Sequence, residues 1–402
     1  MTAVAPEPTD ANRNTPGRAR PNLLTVLREW GRIGFIGFGG PPTHIALLRT
    51  LCVDRRRWLT ARDFEEAIAA CNLLPGPAST QLAIFCAWRV RGRVGAFLGG
   101  VAFIVPGLIV ILALATLFLS GTPPRWALGA AAGAGAAVAA VAVHAGAVLL
   151  PASWRRAEAS SRIRWFAYVA AGAVAAATVG PRLVLVLLGC GVIELLIDRA
   201  RRGRNTALSV TPVLPLLAAG AIGGGTLLSV AWIASKVGAL SYGGGFVIIP
   251  LMQADAVDHY HWMTGGQFLN AVALGQITPG PVVQTVAVVG YAAAGLTGGL
   301  LASLVAFAPS FAFILFGATH FDRLRTNDSV RSFLDGAGPA SIGAILGSAV
   351  PLALAITEPW QYAVLAGAAV LLLLPRRNVV LTLLVASTAG TVIALAGGTL
   401  PT

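Results

Sequence analysis

The sequence has very little charge. Only 11% of its 402 residues are Asp, Glu, Lys or Arg, whereas a soluble globular domain carries roughly 25%. A chain so poor in charge cannot cover a water-facing surface, so lipid must surround most of it. Three runs have no charged side chain, and each is long enough for at least one span of about 20 residues: residues 94–124, 262–319 and 378–402.

Lysine and the common catalytic motifs are also scarce. Lys236 is the only lysine and follows Ser235, which excludes the Gly-Lys pair of a phosphate-binding P-loop. The sequence has no HExxH, no GxSxG and no ligand-spaced cluster of His and Cys, and its four cysteines form no CxxC pair. Glycine runs such as residues 129–135 are typical of close helix packing. We therefore predict that the protein is not an enzyme and has no cofactor and no metal site.

Basic residues outnumber acidic ones, and the formal net charge is +13. They form short arginine clusters between apolar runs, a pattern that fits the basic cytoplasmic loops of a membrane protein and argues against nucleic-acid binding. The first 21 residues are polar and contain no apolar signal-peptide core. We predict a disordered cytoplasmic tail over 1–21 and a multi-pass protein of the bacterial inner membrane.

The remainder of the chain contains an internal repeat. An offset of 204 residues places Trp58 on Trp262 and the sequence Pro75-Gly76-Pro77 on Pro279-Gly280-Pro281. After a slip of one residue, Gln81 matches Gln284 and Pro106 matches Pro309. Such a register is the signature of a duplicated structural unit. We predict two transporter halves, 22–204 and 205–402.

The Pro-Gly-Pro (PGP) sequences predict broken helices in both halves. Proline lacks a backbone donor and clashes with the preceding turn, so the segments around 66–90 and 270–291 must break at their middle. The glycines at 39–40 and 243–245 offer a second break in each half. Irregular backbone at membrane depth is tolerated only inside protein or beside a water-filled cavity. Breaks at matching positions of two halves indicate a transporter's binding site.

The loop charges suggest the orientation of the halves. Arginine clusters flank both segment 23–48 and segment 64–88, so full crossing would put one cluster outside. We therefore predict re-entrant hairpins, followed by spans near 95–120, 126–150, 165–181, 183–198 and 208–228. The loop at 255–261 has no Lys or Arg, which favours an inverted second half. The alternative is full crossing by every segment. In either case the fold is an all-α polytopic membrane protein, and a homo-oligomer is compatible with it.

Two cations occupy matching positions before the glycine breaks. Arg32 and Lys236 are 204 residues apart and each precedes its break by seven residues. A basic side chain at mid-membrane costs ~2.5–3.5 kcal/mol, so it is seldom without a function. The alternative is that each extends to the interface, with its charged end in water. Two symmetric cations beside broken helices suggest an anionic solute.

Each PGP sequence is followed by the start of a helix, where free backbone N–H groups attract anions. The neighbouring side chains are hydrogen-bonding amides and hydroxyls and include no carboxylate, which argues against a metal cation as the substrate. For Asn72 and Gln276, helix capping is an equal alternative. The predicted substrate-binding set is Arg32, Lys236, Gly39, Gly40, Gly243, Gly244, Asn72, Pro75, Gly76, Pro77, Ser79, Thr80, Gln81, Gln276, Pro279, Gly280, Pro281 and Gln284.

These motifs resemble the chromate ion transporter family in its long, two-domain form. The residues that carry the resemblance are FGGPPTHIALL at 38–48, CNLLPGPASTQ at 71–81, SYGGGFVIIPL at 241–251 and GQITPGPV at 275–282. The resemblance implies gradient-driven export of chromate from the cytoplasm and chromate resistance. Sulfate, a tetrahedral dianion of similar size, is the natural competitor. The alternatives are a transporter for sulfate or another oxyanion, a passive anion channel and a membrane scaffold without flux.

Overall fold

The computed structural model describes residues 21–71, 74, 76–119, 123–157, 161–178, 183–201, 225–241, 248–318, 327–373 and 379–401. Within these ranges the chain is helical and has no strand. The first half contains α1 (Leu23–Ile36), α2 (Pro41–Arg49), a π-helix (Thr50–Arg55), α3 (Ala61–Cys71), α4 (Ala78–Phe118), α5 (Arg125–Ala136), α6 (Val138–Arg156), α7 (Arg162–Thr178) and α8 (Leu183–Arg201). The second contains α9 (Thr226–Leu240), α10 (Ile248–Gln253), a π-helix (Ala254–His259), α11 (Gly265–Ile277), a 3₁₀ turn (Val282–Gln284), α12 (Thr285–Gly317), α13 (Asp328–Leu354), α14 (Pro359–Leu373) and α15 (Val379–Leu395).

Four helical stretches are long and apolar enough to cross a membrane: Ala78–Phe118, Arg125–Arg155, Val282–Gly317 and Asp328–Leu354. The predicted spans near 165–181 and 183–198 correspond to α7 and α8. Most of the predicted span at 208–228, and the predicted tail except residue 21, lie outside the described residues. The chain is an all-α polytopic membrane protein, as predicted.

Backbone features recur between the halves at the spacing of the sequence repeat. The two π-helices are 204 residues apart and continue α2 and α10 into the predicted loops at 49–62 and 255–261, which therefore begin as helix. Each is followed by a left-handed residue with φ of 52°, Arg57 and His261. Kinks inside α4 at Gly92 and inside α12 at Gly295 are 203 residues apart. The repeat thus specifies local backbone geometry as well as hydropathy.

Ion pairs join the two ends of each broken segment in the first half. Glu29 of α1 pairs with Arg56 at 2.5 Å, beyond the turn at 37–40. Asp63 of α3 pairs with Arg89 of α4 at 2.9 Å, beyond the PGP turn. At 1.5 Å rise per residue, the 14-residue α1 is about 21 Å long, shorter than a hydrocarbon core of about 30 Å. Both segments therefore have the geometry of hairpins that return to their starting side.

Close contacts between small residues hold the long helices of the two halves together. A Cβ at Gly172 of α7 would meet the Ala340 carbonyl oxygen of α13 at 1.9 Å, and one at Gly133 of α5 would meet the Ala386 oxygen of α15 at 2.1 Å. Such glycines let helix backbones approach closely in a membrane. The predicted packing role of the glycine run at 129–135 is confirmed.

A polar cavity of about 180 Å³ lies between α6, α7, α8 and α13. It is lined by Arg164, Arg201 and Arg331, which come from three clusters that the sequence places in the cytoplasm. Inside it Arg164 makes two hydrogen bonds of 2.8 Å to Glu194. The convergence of these clusters on one cavity is what a shared cytoplasmic side requires.

We expect the two halves to have opposite orientations in the membrane. Asp54 and Asp258 are repeat partners, both are exposed, and one lies in a basic segment while the other lies in an acidic one. In single Asp54→Cys and Asp258→Cys variants, a membrane-impermeant thiol reagent added outside the cell should label only position 258. The four native cysteines are buried and provide the unlabelled background. Labelling of both positions, or of neither, would contradict an inverted repeat.

Candidate functional site

The PGP turns interrupt the helices where the sequence predicts. In the first half α3 ends at Cys71 and α4 begins at Ala78. In the second half α11 ends at Ile277 and helix resumes at Val282. The central glycines have φ of 117° at Gly76 and 91° at Gly280, a conformation that L side chains avoid. Each turn therefore requires its glycine.

The second PGP turn lies against the first half. The Gly280 N–H donates to the Gly37 carbonyl at the end of α1 (3.0 Å). The Gln284 amide donates to the Ile104 carbonyl of α4 at 2.6 Å. A Cβ at Gly107 would meet the Pro279 carbonyl oxygen at 2.2 Å, so α4 leaves room for the turn only because residue 107 is glycine.

The first PGP turn lies against the second half in a corresponding way. A Cβ at Gly76 would be 3.1 Å from the Gly238 carbonyl oxygen of α9 and 3.3 Å from the Ser310 hydroxyl of α12. It would also be 2.7 Å from the Gln81 side-chain nitrogen. Because Gly238 repeats Gly34 and Ser310 repeats Gly107, each turn contacts equivalent helices of the opposite half.

Several buried polar atoms around these turns find no hydrogen-bond partner among the residues that the structure describes. Buried polar groups are normally paired, so each such atom requires an explanation, such as water or a bound ligand. Three of the residues were in the predicted set, and Ser241 and Ser310 were not. The atoms are Thr80 Oγ1, Ser241 Oγ, Gln276 Nε2, Gln284 Oε1 and Ser310 Oγ.

The glycine break of the first half joins the same region. Gly39 and Gly40 have φ of 97° and 74° and lead into α2. A Cβ on Gly40 would be 3.5 Å from the Val282 side chain, just after the second PGP turn. His44, fully buried in α2, contacts the Gly37 carbonyl through Nε2 (3.0 Å) and the Ser79 hydroxyl through Nδ1 (3.3 Å). Gly37 thus accepts bonds from both His44 and the second turn.

Four predicted site residues lie outside the described residues: Gly243, Gly244, Asn72 and Pro75. Gln81 is buried beside the first turn. Pro77 and Pro281 form the starting caps of the helices that follow the turns. The structure therefore brings the described PGP, Gln, Ser and Thr members of the predicted set together around two turns.

The two predicted cations differ in their surroundings. Lys236 forms a close ion pair with Asp255, and the two side chains are 11% and 4% exposed. Its ammonium group also lies 5.6 Å from the centre of the Trp232 ring. Arg32 is exposed on α1 and has no polar partner within the described residues. The sequence treated Lys236 as an uncompensated cation and Asp255 as a loop residue, and both interpretations need correction because Asp255 is buried in the second π-helix.

No group of three His, Cys, Asp or Glu side chains in the described part of the chain could hold a metal ion. The polar groups at the turns are hydroxyls, amides and backbone N–H groups, which suit a polyatomic anion better than a metal. Broken helices at matching positions of two halves, with a polar cluster between them, define a membrane transport protein.

Comparison with known proteins agrees. Residues 24–195 and 228–392 match the family model described as chromate transporter, and the chain belongs to this family. The chain is 31% identical to the chromate transport protein of Cupriavidus metallidurans, over 87% of this chain and 88% of the relative. It is 30% identical to the chromate transport protein of Pseudomonas aeruginosa (81% and 80%) and 29% identical to a probable chromate transport protein of Synechococcus elongatus (82% and 84%). No solved structure matches the chain.

Proposed function

We propose that this protein exports chromate from the cytoplasm across a bacterial inner membrane and so confers chromate resistance. The observation that carries the proposal is the pair of PGP turns, each in contact with the opposite half and surrounded by buried polar atoms without a partner. Family membership and the names of the relatives support chromate as the solute.

The chemistry of the cluster supports a tetrahedral oxyanion. Hydroxyl and amide donors, backbone N–H groups and a nearby cation recognise negative charge and oxygen geometry. Residues 262–319, which include the second turn, carry no carboxylate that would repel an anion. The sequence also lacks a P-loop, which supports a gradient as the source of energy.

Chromate accumulation in cells should test this proposal. Cells that express the protein should accumulate less chromate than cells with an empty vector, and cytoplasmic sulfate should reduce the difference. A site that recognises charge and shape discriminates these two dianions by a modest factor, since each ~1.4 kcal/mol of preference yields tenfold. Equal chromate accumulation in both strains, with the protein present in the membrane, would refute export.

Sulfate transport is the second candidate, because the same donors fit sulfate equally well. Inverted vesicles loaded with labelled chromate or labelled sulfate separate the two solutes by their rates. Counterflow separates a carrier from a passive channel: an unlabelled anion on the opposite side accelerates exchange through a carrier. Protonated phosphate should compete poorly, because it brings a donor to a site rich in donors.

A further inference from the structure

The cation positions of the two halves are equivalent in sequence and different in charge state. Arg32 is exposed and without a described partner, whereas Lys236, its repeat partner, is neutralised by Asp255. The residue that repeats Asp255 in the first half is Leu51, which is buried and apolar. The carboxylate is therefore a feature of the second half alone.

Lys236 lies close to the first PGP turn along its helix. It is two residues before Gly238, whose carbonyl oxygen faces Gly76 of that turn. It is five residues before Ser241, whose hydroxyl is one of the buried groups without a partner. At 1.5 Å rise per residue, this separation is about 7.5 Å, within reach of a flexible lysine side chain of similar length.

A buried ion pair holds both of its charges. As long as the Asp255 carboxylate is ionised, it contacts the Lys236 ammonium group, and a second anion at that ammonium would meet a buried negative charge. Addition of a proton to the carboxylate leaves a neutral acid and a lysine with an uncompensated positive charge. Proton binding at Asp255 and anion binding at Lys236 then favour each other.

We propose that Asp255 is a proton-binding site whose protonation releases Lys236 to bind the transported oxyanion. The proton adds to a carboxylate oxygen, Lys236 remains an ammonium ion, and the anion replaces the carboxylate as its partner. This inference rests on the proposed function, since it adds a co-bound proton to oxyanion transport. It also gives a role to a carboxylate that an anion site would otherwise exclude.

The surroundings of Asp255 contain few other groups that could titrate in its place. Lys236 is its partner from α9, and His259, one turn further along the same π-helix, is exposed. The packed helices α10 and α11 contain no titratable side chain. Asp258 is on the same π-helix but exposed, which makes it a matched control.

The test is binding of labelled sulfate to the purified protein in lipid nanodiscs from about pH 5 to about pH 8. Sulfate is the probe because it stays a dianion over this range, whereas chromate becomes protonated. One linked proton makes the affinity fall by up to tenfold for each pH unit of increase. Asp258→Asn should retain this slope. Asp255→Asn should bind tightly with no slope, because its neutral amide leaves Lys236 free at every pH.

A double variant, Lys236→Gln with Asp255→Asn, removes both charges together and guards against misfolding of the single variant. It should bind weakly and independently of pH. A pH slope that persists in Asp255→Asn or in the double variant would overturn the assignment. A wild-type protein that binds sulfate without any pH slope would also overturn it while leaving the proposed function intact. Wild-type protein that neither binds nor transports sulfate or chromate at any pH would remove the proposed function itself.

Discussion

Replacement of Gly107 by alanine is expected to reduce oxyanion flux at least tenfold. Its Cβ would be 2.2 Å from the Pro279 carbonyl oxygen and 2.5 Å from the Gln284 side-chain oxygen. These contacts are far inside van der Waals distance, and overpacking of this kind costs typically about 1–3 kcal/mol. The second PGP turn must therefore move away from α4 or lose its shape.

A matched control separates this effect from a general intolerance of alanine in these helices. Gly189 lies in α8, and a Cβ there would meet nothing within 4 Å. Alanine is a better helix former than glycine by about 1 kcal/mol, so Gly189→Ala should keep its flux and should be at least as stable. Uptake of labelled sulfate or chromate into vesicles, normalised to the amount of folded protein, compares the two variants. Equal flux would show that the contact between turn and helix is not required.

The sequence predicted the helix breaks because they have a local cause. Two prolines and a glycine remove donors and prevent α-helical geometry wherever they occur. The same applies to the glycines at 39 and 40, which adopt positive φ as the break requires. The repeat was equally accessible, because its motifs are contiguous and in register. Local chemistry thus predicts where this chain is irregular.

The contacts of those breaks could not be predicted in the same way. No sequence pattern shows that Gly280 donates to Gly37, 243 residues away, or that Gly107 makes room for Pro279. One signal was available for Ser310: it occupies the repeat position of Gly107, so a polar side chain replaces a close contact. Tertiary packing between halves decides these contacts.

The Lys236–Asp255 pair shows a second limit of the repeat. Sequence symmetry predicts equal roles for Arg32 and Lys236, yet only Lys236 has a carboxylate partner among the described residues. Asp255 is 19 residues away, beyond a glycine break. A pairing across such a break depends on how the hairpin closes, and π-helical winding then shifts which side chains point inward. Symmetric sequence positions therefore do not imply symmetric electrostatics.

Arg32 is the cation that remains available to an anion in this structure. An arginine that only extends to the interface would be interchangeable with its neighbour Arg28, four residues earlier on the same exposed face of α1. An arginine that binds the solute would not be, because its guanidinium group would contact the oxyanion directly. The two hypotheses make different predictions for the same substitution at the two positions.

Arg32→Gln is expected to weaken oxyanion binding and flux by roughly 10- to 100-fold, whereas Arg28→Gln should leave both near the wild-type values. Hydrogen bonds to charged groups contribute about 1.5–3 kcal/mol, which corresponds to this range. Arg32→Lys should recover only part of the loss, because lysine lacks the planar fork that grips two oxygens. The measurement is the concentration of sulfate or chromate that gives half-maximal flux in vesicles, at matched protein levels. If both glutamine variants transport normally, or lose flux equally, Arg32 acts as an interfacial anchor and contributes nothing specific to the substrate site.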